Sequence, residues 1–134
     1  MIETIQPAGW KAPKGYANGV LAEGRLLFIS GQVAWDEKEQ FHSDDIVEQV
    51  RQALKNTLTM LEAGGAKPEH VVRMTWYLTD KREYLARAKE IGAAYREFMG
   101  KHFAAMSVVE VTALMEDRAK VEIESTAVIP RDGR

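Results

Sequence analysis

Cysteine is absent from this 134-residue chain. That excludes a disulfide framework, a cysteine nucleophile and any thiolate metal site. The three histidines, His42, His70 and His102, are scattered, with no two at helical ligand spacing. No metal site is therefore expected. No apolar run approaches the roughly 20 residues needed to cross a bilayer. The start, Met1 to Pro7, lacks the basic and apolar blocks of a secretion signal, so a cytoplasmic location is expected. A basic excess is also missing: 18 Lys and Arg face 20 Asp and Glu, for a net charge of -2. Without a basic stripe, a protein that grips nucleic-acid phosphates is disfavoured. Proline is scarce and no Pro/Gly/Ser-rich stretch divides the chain, so residues 1–134 are expected to form one domain. What is present, 46% hydrophobic and 28% charged residues, is the balance of a globular protein able to bury one core.

The hydrophobic pattern orders that core. Leu26-Leu27-Phe28-Ile29-Ser30 reads as a buried strand after the turn signal Glu23-Gly24-Arg25. A preceding strand over Tyr16 to Leu21 is expected to pair with it as a hairpin. Gly31 and Gln32 then interrupt the run, which predicts a bulge or a close backbone approach. Ser43 is the expected N-cap of a first helix, with Asp44 and Asp45 at its positive end. Its apolar stripe is Val47, Val50, Leu54, Leu58 and Leu61, and Gly64-Gly65 stops it. Val71 to Leu78 reads as a strand with Met74, Trp76 and Leu78 on one side and Arg73, Thr75 and Tyr77 on the other. Asp80 and Glu83 open a second helix, whose stripe is Tyr84, Ala88, Ile91, Tyr95 and Phe98. Two strands follow, Ala104 to Val111 and Lys120 to Val128. The order β-β-α-β-α-β-β, with one stripe per helix, predicts an α+β domain with both helices on one face of a mixed sheet. Val109, Val111, Val121 and Ile123 make the other face too apolar to stay wetted, so self-association is expected.

Several strings, in order and at matching distances, resemble the RidA/YjgF family across nearly the whole chain. They are Lys14-Gly15-Tyr16-Ala17-Asn18-Gly19, Phe28-Ile29-Ser30-Gly31-Gln32, Glu62-Ala63-Gly64-Gly65, Val109-Glu110-Val111 and Val121-Glu122-Ile123-Glu124. The resemblance implies a chorismate-mutase-like domain that forms a homotrimer, with small-molecule clefts between subunits. It also implies hydrolysis of reactive enamines and imines such as 2-aminoacrylate, without metal or cofactor, to a 2-oxo acid and ammonia. Residue by residue, it places Tyr16, Ser30 and Gly31 in the cleft and gives Glu122 the role of positioning water. Met106 stands where the family usually has an arginine, and Gly92 replaces an asparagine common on the second helix. An arginine presents a planar fork of donors to a carboxylate, whereas a thioether offers only a weak acceptor. A substrate other than a standard 2-imino acid is therefore expected.

The residues allow plainer readings as well. Glu122 can hold water and relay protons, or can simply alternate outward with Glu124 from a half-buried strand. Glu110 shares a face with Met106 and Val108, and a structural ion pair suits it better than a second catalytic acid. Tyr16 can donate to a ligand or pack over a sheet edge. Ser30-Gly31 can offer backbone N–H groups to developing negative charge or form a bulge without chemistry. Met106 and Val108 make an apolar wall suited to a neutral or aromatic ligand, to which Trp35 and Trp76 can add. His102 is a candidate proton relay, and Arg73, Lys101 and Arg118 are candidates to replace the lost cation. The expected activity is a RidA-like hydrolase of a small enamine, imine or related C–N substrate. A non-catalytic binding module is the alternative, and a ribonuclease or translation inhibitor fits the charge least.

Overall fold

The computed structural model describes residues 1–131. Its main sheet has four strands in the order β3-β6-β4-β5: β3 (Arg25–Gln32), β6 (Val121–Ile129), β4 (Val71–Leu78) and β5 (Ala105–Glu110). β6 is antiparallel to both β3 and β4, whereas β4 and β5 run parallel. The parallel pair requires a crossover, supplied by α2 (Lys81–Ala86) and α3 (Ala88–Met99). With α1 (Ile46–Ala63) they form the helical layer. This is the predicted α+β, chorismate-mutase-like arrangement.

The strand periodicity fixes which side is buried. Met74, Trp76 and Leu78 of β4 face the helices and are essentially inaccessible, while Arg73, Thr75 and Tyr77 face away. Val121 and Ile123 also point into the helical layer and are fully buried, so the expectation that they help make the second face apolar is corrected. Their alternation partners Glu122, Glu124 and Thr126 occupy the open face. The apolar residues exposed there come from β3 and β5: Leu26, Phe28 and Val109.

Other boundaries differ from the reading of the sequence. The N-terminus carries an extra strand, β1 (Ile2–Ile5), antiparallel to β2 (Gly19–Ala22). β2 therefore makes no hairpin ladder with β3. Gly24, at φ 150°, turns the chain between them and passes so close to Ile129 that a Cβ would lie 2.1 Å from its carbonyl oxygen. The N-cap of α1 is Asp45, which accepts from the Glu48 N–H at 3.1 Å; Ser43 instead accepts from the Asp45 N–H. The stop of α1 is a Schellman motif, with Gly65 at φ 78° and Ala66 N donating to Leu61 O at 2.7 Å. The single second helix expected after Asp80 is broken at Arg87. That residue leaves the helical region at φ -113°, ψ 16° while its guanidinium binds both Asp45 on the α1 cap and Glu90. This links the break to the start of α1.

Candidate functional site

A cavity of about 390 Å³ opens between edge strand β5, helices α2 and α3, and the loop that precedes β2. Its strand wall follows from register. Met74 pairs with Met106 and Trp76 with Val108, so Met106 and Val108 point to the helix side, as β4's buried residues do. Tyr84, Ile91 and Tyr95 form the helix wall. They lie seven and four residues apart, so one face of the broken helix presents all three. Trp76 meets Tyr84 edge-on at 6.5 Å between centroids and Tyr95 at 6.3 Å. Gly92 leaves room in this wall, since a Cβ there would meet nothing closer than Arg96 at 3.5 Å.

The third side is the loop Lys14-Gly15-Tyr16. Gly15 adopts φ 79°, a conformation other residues rarely take. Just beyond it, Ala17 N donates to Ala104 O at 2.9 Å and Ala17 bridges Ala105. This anchor holds Tyr16 over the pocket with the residue still 41% exposed. Burial pushes the Tyr95 hydroxyl up to about 12 and raises Tyr84 too. Both phenols therefore stay protonated at neutral pH, which makes them donors and excludes them as general bases. Tyr95 spends its proton on His102 O at 3.0 Å.

Glu122, Ser30 and Gly31 lie elsewhere. Ile29 pairs with Ser125 and Gln32 with Ile123, so Ser30 and Gly31 together face Glu124, which is the predicted bulge. Glu122 is half-buried on the open face, its carboxylate against Gly31, where a Cβ would sit 2.0 Å from Oε2. On its other flank is Tyr77, its register partner on β4. Tyr77 donates to Glu124 at 2.9 Å, and that bond raises its pKa, with burial and the Glu124 and Glu122 charges adding. Ser30 lines a second recess of about 370 Å³ with Arg73, Thr75 and Glu124. The chain thus groups Tyr16, Met106 and Val108 on one side of the sheet and Ser30, Gly31 and Glu122 on the other.

The remaining candidates sort on geometry. Glu110 caps α2 by accepting from the Lys81 N–H at 2.7 Å, a structural role. His102 is bound 2.6 Å from Val71 O, which can only accept, so its ring donates there and it lines neither recess. Arg118 is held by Asp44 and Phe41 O, and Arg73 is on the open face. Lys101 does not line the cavity, and neither does Trp35, which packs on Phe41. The charged residue that does line it is Lys14. The sequence reading missed it, although it adjoins Gly15-Tyr16. Among the described residues, no group of three His, Cys, Asp or Glu side chains could hold a metal, and no helix is long and apolar enough to cross a membrane.

An α+β sheet with a loop-capped pocket at its β5 edge defines a class, and comparison identifies it. The family described as "Endoribonuclease L-PSP" matches residues 8–129. The chain is 34% identical over 132 residues to a 2-iminobutanoate/2-iminopropanoate deaminase from Salmonella typhimurium, covering 96% of this chain and 98% of that protein. The human protein of the same name is 30% identical, over 96% of this chain and 88% of its own length. A crystal structure of YyfB from Yersinia pestis, a Rid-family protein of unknown function, superposes with a TM-score of 0.85. It is 32% identical and covers 95% of this chain and 98% of that one. The chain belongs to the RidA/YjgF family.

Proposed function

We propose that this protein hydrolyses an enamine or imine in a cleft completed by another copy of the same chain. The observation that carries the reading is the partition of the candidate residues between the two sides of one sheet. Tyr16, Met106 and Val108 shape a pocket without an acid; Glu122 stands beside Gly31 without an enclosing pocket. A cyclic assembly that sets different patches of neighbouring copies against each other joins the two halves, and a homotrimer is the proposed form. The exposed Leu26 and Phe28 beside the bulge supply apolar surface for such a contact.

In that cleft Glu122 holds a water and takes its proton as the oxygen adds to the imine carbon. The carboxyl passes that proton to the imine nitrogen, giving a carbinolamine. It then takes the hydroxyl proton as the C=O bond forms and delivers it to the amine nitrogen as the C–N bond breaks, giving a carbonyl compound and ammonia; an enamine reacts as its imine tautomer. Tyr16 donates to the ligand, and the Ser30-Gly31 backbone faces the developing charge. The naming of two relatives as imine deaminases supports the reaction class. The substrate proposed here is not a standard 2-imino acid, because Met106 offers no fork for its carboxylate.

The test is an imine-trapping assay. A flavin amine oxidase generates an imine without an α-carboxylate, and an amino-acid oxidase generates 2-imino acids for comparison. Semicarbazide traps them, and an active protein lowers the rate at which trapped product forms from the first. The wild type is expected to do so and Glu122→Gln is not. If no imine tested is consumed, yet a metabolite raises the melting temperature, the protein is a binding module and the hydrolase reading fails.

A further inference from the structure

The cavity at the β5 edge has an apolar floor and a cationic lip. Met106, Val108 and Trp76 make the floor, Tyr84, Ile91 and Tyr95 the far wall, and Lys14 is the charged lining residue. Lys14 is exposed and forms no ion pair with any described residue, whereas Arg51, Arg87, Arg118 and Lys120 are held by carboxylates of the chain. The loop carrying it is fixed rather than trailing. Ala17 is tied to β5, and Gln6 braces the start of the segment by donating to Lys11 O and accepting from Asn18.

From this arrangement we infer that the cavity takes a ligand with an aromatic or branched apolar body and one anionic group, seated with its body on Met106 and Trp76 and its anion at Lys14. The inference rests on the proposed function only for the use of this pocket. The chemistry follows from which wall can solvate what. A carboxylate on the Met106 floor would lose water and meet no cation, a cost that neither the thioether nor a single phenol hydroxyl of Tyr84 offsets. At the lip the ammonium meets it while water still covers both, so desolvation is small. The apolar body gains by leaving water, and about 390 Å³ is within the size range of small-molecule sites. A three-carbon acid would leave most of that volume unfilled. Lys14 thus places the cation on the loop and reverses the ligand's orientation relative to an anion clamp on β5.

Calorimetric titration of the whole chain with three unreactive probes tests this: 3-phenylpropanoate, its neutral amide 3-phenylpropanamide, and propanoate. The acid is expected to bind about twofold to fivefold more tightly than its amide, the range of a solvent-exposed ion pair. It should bind at least about tenfold more tightly than propanoate, as burial of a ring implies. Lys14→Gln should erase the preference for acid over amide without changing affinity for the amide or the melting temperature. Lys14→Arg should keep that preference, and so should Lys11→Gln, which lies outside the cavity. Equal binding of acid and amide, propanoate binding as well as the phenyl acid, a preference that survives Lys14→Gln, or no binding of any probe each overturns the inference. None of the probes has an imine bond. Binding as described without imine hydrolysis would therefore sink the proposed reaction and leave this inference standing, and hydrolysis without the acid preference would do the reverse.

Discussion

Gly31 and Glu122 are fitted to each other across adjacent strands. A methyl group on Gly31 would lie 2.0 Å from Glu122 Oε2, 2.6 Å from its Cδ and 2.8 Å from its Cγ. The bulge at Ser30-Gly31 brings the β3 backbone to this carboxylate, and the absence of a side chain at 31 leaves the carboxylate its place. Because the intruding atoms would meet a flexible side chain rather than backbone, the side chain would move and the strand would stay.

Gly31→Ala should therefore act as a displacement of Glu122. The melting temperature should change little, since the bulge is at the surface and the core is untouched. Turnover of the imine substrate should drop in the same direction as in Glu122→Gln, for which removal of a general acid–base group implies a loss of about a hundredfold or more. Measuring kcat beside thermal denaturation separates the two effects. Full activity in Gly31→Ala would mean that the position of Glu122 is not critical to the reaction.

Met106→Arg introduces the fork that the floor of the pocket lacks. Met106 is half-buried and packs on the core, so the guanidinium should cost about 1 kcal/mol of stability, a typical value for a point substitution. In return, small 2-imino acids should gain in kcat/KM relative to bulky imines. The trapping assay with imines from alanine and phenylalanine checks the direction. If the wild type already consumes the small imino acid as well as the variant does, the apolar floor does not set specificity.

The extent to which the sequence disclosed all this follows from where its signals are local. β4 was legible because Arg73 to Leu78 alternates and its buried half carries Met74, Trp76 and Leu78, whereas the irregularity between Val71 and Arg73, which buries Val71 as well, was not. The bulge was legible from Gly31. The side on which Val121 and Ile123 fall was not, since a strand's alternation names two faces without saying which one the helices cover. The break at Arg87 depends on Asp45, 42 residues away in sequence. Tyr84, Ile91 and Tyr95 read as an ordinary core stripe, and the same stripe lines a pocket where the helix passes the edge of the sheet. Glu122 and Tyr16 both read as site residues in the sequence, but only the tertiary fold shows that they lie on opposite sides of the sheet.

Tyr95 links the pocket wall to stability at high pH. Its hydroxyl is buried, and its pKa rises from 10.0 to about 12 in the fold. The unfolded state therefore releases this proton first, and stability falls as pH rises above about 10 until the folded group also ionises near 12. The phenol's contribution is complete below pH 10. Tyr95→Phe should cost about 1 kcal/mol at pH 7 through loss of the hydrogen bond to His102 O. The gap between variant and wild type should narrow above pH 10 and be gone by about pH 11. Urea denaturation of both proteins at pH 7, 9 and 11 reads this, and a gap that widens with pH would contradict the assignment.

Phe28 tests whether the two halves of the site meet through assembly. It is 71% exposed on the open face, two residues before Ser30, and an aromatic so placed is costly to leave in water and available to a second copy. A carboxylate at that position would repel the apolar patch it is proposed to join without entering the core. Phe28→Asp should therefore leave the melting temperature of the dissociated chain measurable while sedimentation shows a smaller species. Imine hydrolysis should fall with dilution at concentrations where the wild type remains assembled and active. Trp10→Ser is the matched control, because Trp10 is comparably exposed at 65% but lies in the loop between β1 and β2. If the wild type sediments as a single chain and still consumes imines, Glu122 and the pocket do not need a second copy. If Phe28→Asp stays assembled while activity is lost, the open face serves the chemistry directly, and the contact between copies must be sought along the edge of β5.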